Sequence, residues 1–140
     1  MKYELGKDWN FETTWSYVYG INRSNQLPLT FMPPLQGQHK FSYEIPEWNN
    51  WRNLKIELVH EYVAQQWHWD PTLDFLAPPK GYNLVNLHMS TTLNKWKFKP
   101  QLLVSVKNIS NTIYRDYLNR QRYFANALGR NITLSWIQNF

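Results

Sequence analysis

The sequence predicts an all-β chain: an antiparallel, up-and-down sheet of about six strands in three hairpins, forming a segment of a transmembrane β-barrel. Three observations predict it. Apolar and polar residues alternate with period two in six segments, the spacing that sends successive side chains to opposite faces of a strand. The connections between those segments alternate long and short. Aromatic residues make up 17% of the 140 residues, eight of them tryptophan, although the mean hydropathy is polar. A soluble core of this size holds few tryptophans, because the ring is large and its N–H needs a partner. A sheet with one apolar and one wet face accommodates them.

Across residues 8–20, Trp9, Phe11, Thr13, Trp15, Tyr17 and Tyr19 share one face; Asp8, Asn10, Glu12, Thr14, Ser16 and Val18 share the other. A polar connection, residues 21–37, follows and is broken by Pro28, Pro33 and Pro34. Residues 38–45 set Phe41, Tyr43 and Ile45 against Lys40, Ser42 and Glu44, and residues 46–51 make a turn. In the third strand, residues 52–63, Leu54, Ile56, Leu58 and Tyr62 oppose Lys55, Glu57 and Glu61, with His60 inside the apolar series. Residues 64–80 form the second long connection. The fourth strand, residues 81–93, places Val85, Leu87, Met89, Thr91 and Leu93 opposite Asn86, His88, Ser90 and Thr92, and Asn94 with Lys95 turns the chain. The fifth, residues 96–108, sets Trp96, Phe98, Pro100, Leu102, Val104 and Val106 against Lys97, Lys99, Gln101, Ser105 and Lys107. Pro100 removes a ladder hydrogen bond there and marks a bulge. After residues 109–130, the last strand, residues 131–140, puts Ile132, Leu134, Trp136 and Phe140 on one face, and the chain ends on that aromatic.

Three wide loops on one edge and two tight turns on the other give the asymmetry of an outer-membrane barrel. Strands of about ten residues match the length a tilted strand needs to cross hydrocarbon. Trp48, Trp51, Trp96 and Phe140 gather on the short-turn side, and Tyr17, Tyr19, Tyr62 and Tyr82 on the long-loop side, as two interfacial girdles. No stretch approaches the ~18 apolar residues of a membrane helix, and the N-terminus lacks the apolar run of a secretory signal. With no cysteine, neither disulfides nor thiolate metal sites arise. The net charge of +5 is scattered among acidic residues and reads as a solvated surface.

Alternation alone leaves open whether the apolar face points inward or outward. The alternative is therefore a soluble β-sandwich binding module, suited to glycans through exposed tryptophans. Six strands are also too few to close a barrel in lipid, where each unpaired backbone group costs several kcal/mol. The chain is expected either to assemble into an oligomeric barrel or, the favoured reading, to be the end of a longer protein.

Several stretches carry a resemblance. Val106-Lys107-Asn108-Ile109-Ser110-Asn111 is followed by Tyr114-Arg115-Asp116-Tyr117-Leu118, then by Arg120-Gln121-Arg122-Tyr123-Phe124-Ala125 and Gly129-Arg130-Asn131-Ile132. In that order they resemble the C-terminal end of the TonB-dependent outer-membrane receptors, whose penultimate strand ends in a valine-x-asparagine-leucine-phenylalanine-asparagine stretch. Their last strand opens on glycine-arginine-asparagine and closes on an aromatic. Phe31-Met32-Pro33-Pro34-Leu35 and Gly81-Tyr82-Asn83-Leu84-Val85-Asn86 look like the same family, while Ile109, Ser110 and Gln138 depart from its pattern. The resemblance implies that residues 1–140 are the C-terminal part of a 22-stranded receptor barrel in the outer membrane of a Gram-negative bacterium. The receptor would import a scarce nutrient such as a ferric siderophore, haem or cobalamin. It implies a plug and a TonB box elsewhere, with outer-membrane lipid, the rest of the barrel, the TonB complex and the barrel-assembly machinery as partners. It also implies that Ile132, Leu134, Trp136 and Phe140 form the C-terminal assembly signal.

Catalysis finds no support: no Ser/His/Asp arrangement, paired-carboxylate signal or Gly-rich phosphate loop is evident. His39, His60, His68 and His88 lack the spacing of metal ligands and read as scattered surface or lumen residues, so no metal or cofactor is expected. Trp67, His68 and Trp69, in an outer loop, are ligand-contact candidates. So are Arg115, Arg120 and Arg122, whose interleaving with Tyr117, Tyr123 and Phe124 superficially suggests nucleic acid. Asp116 interrupts that run, and an anion-contacting or loop-ordering role fits it better. Glu12, Glu44, Glu57 and Glu61 with Lys40, Lys55, Lys97, Lys99 and Lys107 form a polar ladder on the lumen face, suited to water or to packing a plug.

Overall fold

The computed structural model describes residues 1–140 except Leu5, Phe75, Asn139 and Phe140. Seven strands, β1 (Lys2–Glu4), β2 (Trp9–Ser16), β3 (Gln36–Trp48), β4 (Trp51–Val63), β5 (Tyr82–Leu93), β6 (Gln101–Lys107) and β7 (Asn131–Ile137), form one antiparallel sheet in sequence order. The six expected strands are all present. The seventh, β1, is three residues long, too short to display alternation, and adds a third short connection on the tight-turn edge.

Backbone chemistry explains where boundaries differ from expectation. β3 runs through Pro46 to Trp48, which pairs directly with Trp51, so the turn is only Asn49 and Asn50, with Asn49 in the left-handed region at φ 57°. Pro46 is tolerated because the register passes from Ile45↔Leu54 to Glu47↔Arg52, leaving the proline outside the paired positions. On the other side of β4 the register shifts between Arg52 and Lys55, around Asn53 at φ 53°. Pro100 immediately precedes β6 rather than bulging it. The connection therefore spans residues 94–100, closed by Leu93 N–H donating to the Pro100 carbonyl at 3.0 Å. Lys97 and Lys99 consequently leave the expected lumen ladder for this turn. β2 stops at Ser16, and Tyr17, Val18 and Tyr19 begin a loop.

The register unites the alternating faces. Trp9, Phe11, Trp15, Tyr43, Phe41, Ile56, Leu58, Met89, Leu87, Val104, Val106, Leu134 and Ile132 stand side by side on one surface. The other surface carries Glu12, Lys40, Ser42, Glu57, Asn86, His88, Ser105 and Thr133. Burial runs opposite to that of a soluble sheet. Leu58 is 44% exposed, Ile132 68% and Leu134 70%, while Ser42 and Asn86 on the polar side are 5% and 6% exposed. Val59 and Leu84, apolar residues on the polar side, are buried with them. Leu54 and Thr91, in the apolar series near the short-turn edge, are buried at 4% and 3%, but most of that surface is half-buried or exposed, the pattern of a sheet curled around its polar side.

Candidate functional site

The three long connections, residues 17–35, 64–81 and 108–130, emerge from the same edge and pack on one another. Ala64 N–H donates to the Leu35 carbonyl at 2.9 Å, and the Gln66 amide donates to the Met32 carbonyl at 2.8 Å. Tyr117, 3% exposed, lies against Phe31, whose ring also carries the Arg120 guanidinium 5.7 Å away. Apolar contact and cation–π attraction thus tie the first loop to the third.

The second and third loops share a buried ion pair. Arg122 donates to Asp74 from across 48 residues of chain, and the Tyr123 hydroxyl donates to the other Asp74 oxygen at 2.5 Å. Arg122 also reaches the Ala77 carbonyl at 3.4 Å and stacks on Tyr117 and Tyr123. A 3₁₀ turn, Arg120–Tyr123, aims it: the Asn119 side chain caps that turn by accepting from Gln121 N–H at 2.9 Å. Burial, together with the charge of Asp74, pushes the Tyr117 hydroxyl above its ordinary pKa. Tyr123 is raised chiefly by its hydrogen bond to Asp74, which it makes only while protonated.

Asparagines fasten the base of the third loop. Asn108, at φ 51°, accepts from Thr112 N–H at 2.8 Å and donates to the Thr112 carbonyl at 2.9 Å, while its own N–H reaches Asn86 Oδ1 at 2.8 Å. Asn111 Oδ1 accepts from Arg130 N–H, and Arg130 Nε donates to the Ile109 carbonyl, both at 2.9 Å. The residues that carry the sequence resemblance are thus those that shape this loop.

Two clefts meet at Tyr114. One, of about 510 Å³, is lined by Lys80, Tyr82, Asn83, Thr112, Arg115 and Asn126. The other, of about 430 Å³ on the polar face, is lined by Glu61, Asn86, Lys107, Asn131 and Thr133. Tyr114 packs on Tyr82 with ring centroids 4.3 Å apart, and the Tyr82 hydroxyl donates to Asp116 at 2.6 Å. Aromatic faces, three cations (Lys80, Arg115 and Lys107) and several amides converge here, a polar and adaptable binding surface.

Of the sequence candidates, Trp67 is 60% exposed at the surface, His68 sits edge-on to Tyr19 at 5.2 Å, and Trp69 is half-buried. Arg115 lines the larger cleft, tethered to Asn126 Oδ1 at 2.8 Å and the Arg122 carbonyl at 3.0 Å. Arg120 is exposed over Phe31, and Arg122 is buried in its ion pair, where it orders the loops. By sequence Tyr82 belongs to an aromatic girdle and Tyr114 to the family resemblance, but neither of them, nor Lys80, stands out as a ligand contact, because only the fold brings the start of β5 beside the third loop. Ile132, Leu134 and Trp136 stand exposed on the apolar face, and Phe140 lies outside the described residues. On the lumen side Lys40 pairs with Glu12 at 2.9 Å and Lys55 with Glu44 and Glu57 at 3.3 and 3.2 Å. The register also sets His39 directly opposite His60.

No family model matches the chain, and no curated protein matches it in sequence. Its structure is similar to that of the copper transporter OprC, with a TM-score of 0.76 at 20% identity. The match covers 96% of this chain and 20% of that one, so the chain spans about a fifth of the transporter's length. The likeness is one of fold: a run of up-and-down strands as found in an outer-membrane barrel protein.

Proposed function

We propose that this chain forms a stretch of barrel wall in an outer-membrane import receptor of a Gram-negative bacterium, TonB-dependent in type, and does no chemistry of its own. The inverted sheet is the observation that carries this reading: exposed aliphatic and aromatic side chains on one face, buried hydrogen-bonded polar ones on the other. A soluble glycan-binding sandwich would bury the first face. Long loops gathered on one edge, packed on each other and flanked by polar clefts, suit the mouth of a barrel that admits a solute. A transporter as structural neighbour supports import in general. The copper of its name lends nothing to a siderophore, haem or cobalamin cargo, and we assign none.

On this reading β1 and β7 pair with further strands, a plug packs on the Glu12–Lys40 and Lys55 ladder, and the TonB complex acts through that plug. Ile132, Leu134, Trp136 and Phe140 would be read by the barrel-assembly machinery. Fractionation of native cells with an antibody against residues 110–130 tests the proposal. The expected result is a heat-modifiable outer-membrane band several times heavier than the 17.0 kDa chain. A soluble band near 17.0 kDa would overturn it in favour of the binding module.

A further inference from the structure

We propose that the turn between β5 and β6 binds the headgroup of an anionic phospholipid, through Lys95, Lys97 and Lys99 set among the rings of Trp96, Phe98 and Trp136. The inference rests on the barrel reading, which puts the apolar face of the sheet against lipid.

Backbone hydrogen bonds shape the turn. Leu93 N–H donates to the Pro100 carbonyl at its base and Lys99 N–H to the Trp96 carbonyl, both at 3.0 Å, while Asn94 N–H reaches the Asn50 carbonyl of the neighbouring hairpin at 2.8 Å. Lys99 reverses the chain in the left-handed region, at φ 43°. The result is a short, tied loop whose three lysines fall on alternate positions, all of them exposed.

Its place on the sheet follows from β7. The register carries the apolar face along Ile132, Leu134 and Trp136, opposite Val106, Val104 and Leu102. Trp96 meets Trp136 edge-on with ring centroids 5.4 Å apart, and the two rings remain 58% and 47% exposed. The turn therefore lies at the rim of the apolar surface, and indoles favour the boundary between hydrocarbon and water. Lys97 stands over the exposed Phe98 ring, 5.3 Å from its centroid, so charge and apolar surface adjoin there.

Charge selects the ligand. Between Asp74 and Asp116 the sequence holds no acidic residue, and among the described residues no carboxylate pairs with any of the three lysines. Glu47, on the neighbouring hairpin, stands opposite Arg52, which balances it. Three clustered ammonium groups attract a lipid phosphate and disfavour a headgroup that carries its own ammonium. A free phosphate would engage the lysines and leave the rings in water. A lipid satisfies both, with its chains running past Trp96 and Trp136 onto the apolar face.

Native mass spectrometry of the complete protein, titrated in detergent with phosphatidylglycerol or phosphatidylethanolamine, tests the site. Phosphatidylglycerol is expected to bind the more tightly. Lys95→Gln, Lys97→Gln and Lys99→Gln should each weaken it about fivefold, and the triple variant about a hundredfold, with phosphatidylethanolamine unaffected. Glycerol phosphate, the headgroup without its chains, should not compete. In the unsubstituted protein, adding phosphatidylglycerol to phosphatidylethanolamine vesicles should slow acetylation of the three lysines but not of Lys107 on the polar face; this arm requires no variant to fold. Unchanged phosphatidylglycerol binding by the triple variant, displacement by glycerol phosphate, or equal slowing at Lys107 would overturn the site and leave the barrel standing. A complete protein that fractionates as soluble would overturn the barrel reading and the site with it.

Discussion

The six-membered ring of Trp15 covers Gly37, its partner on the neighbouring strand: a Cβ at Gly37 would sit 2.7 Å from ring atom Cζ3. Glycine is required here for close approach, since its φ is not in the left-handed region. The uncovered backbone is shielded by an aromatic from across the pair. Gly37→Ala is expected to lift the ring away and destabilise the sheet by about 1–3 kcal/mol, the usual cost of overpacking. In a Trp15→Ala background the same change should cost little, because nothing remains to displace. The temperature of heat modification, measured for both single variants and the double, reports the coupling; strictly additive losses would show that the ring does not depend on Gly37.

Asp74 and Arg122 make the second prediction. Both side chains are almost fully buried, at 0% and 2% exposed. Asp74→Ala leaves a guanidinium buried without its counter-charge, a loss of about 3–5 kcal/mol in comparable cases. Tyr123→Phe removes one hydrogen bond from the same carboxylate and should cost about 1 kcal/mol. Because the pair joins two loops, the damage should be local. Limited proteolysis within residues 64–81 and 108–130 is expected to accelerate far more in Asp74→Ala than in Tyr123→Phe, with the strands still resistant. Equal cleavage in both variants would argue against the ion pair as the fastening.

The tyrosines around that pair set a dependence on alkaline pH. Tyr117 and Tyr123 are raised above the ordinary value of 10.0, so the folded loops hold their protons more tightly than the unfolded chain does. Stability from this source is complete below pH 10 and declines as pH rises past it, when the unfolded state ionises first. Tyrosinate absorbance at 295 nm should therefore show a late-titrating fraction, reduced in Tyr123→Phe. Loop proteolysis should quicken over the same range; a single transition near pH 10 with unchanged cleavage would refute it.

The contrast between strands and loops shows what a sequence displays. Period-two runs such as Trp9, Phe11, Thr13, Trp15 display their face directly, because alternation is a local consequence of the pleat. Pro46 and Pro100 misplaced boundaries for opposite reasons: one lies opposite an irregularity that relieves it, and the other sits just outside a ladder it cannot enter. The Asp74–Arg122 pair and the Trp96–Trp136 contact depend on loop packing and strand register, so their spacing along the chain carries no sign of them. Arg122 looked like a ligand contact because a loop arginine is usually exposed, and only the fold reveals the carboxylate that buries it.

The last prediction concerns which face meets lipid. Leu134 and Ser135 are adjacent on β7, yet they point to opposite sides, opposite Val104 and Leu103 respectively. If lipid lies against the apolar face, Leu134→Arg places a charge in hydrocarbon, at about 2–4 kcal/mol near the midplane. Ser135→Arg places the same charge among polar groups and should be tolerated. Outer-membrane levels of the complete protein are thus expected to fall sharply for the first variant and little for the second. Deleting Phe140 should lower them as well, through the assembly signal. Wild-type outer-membrane levels of Leu134→Arg would count directly against the barrel.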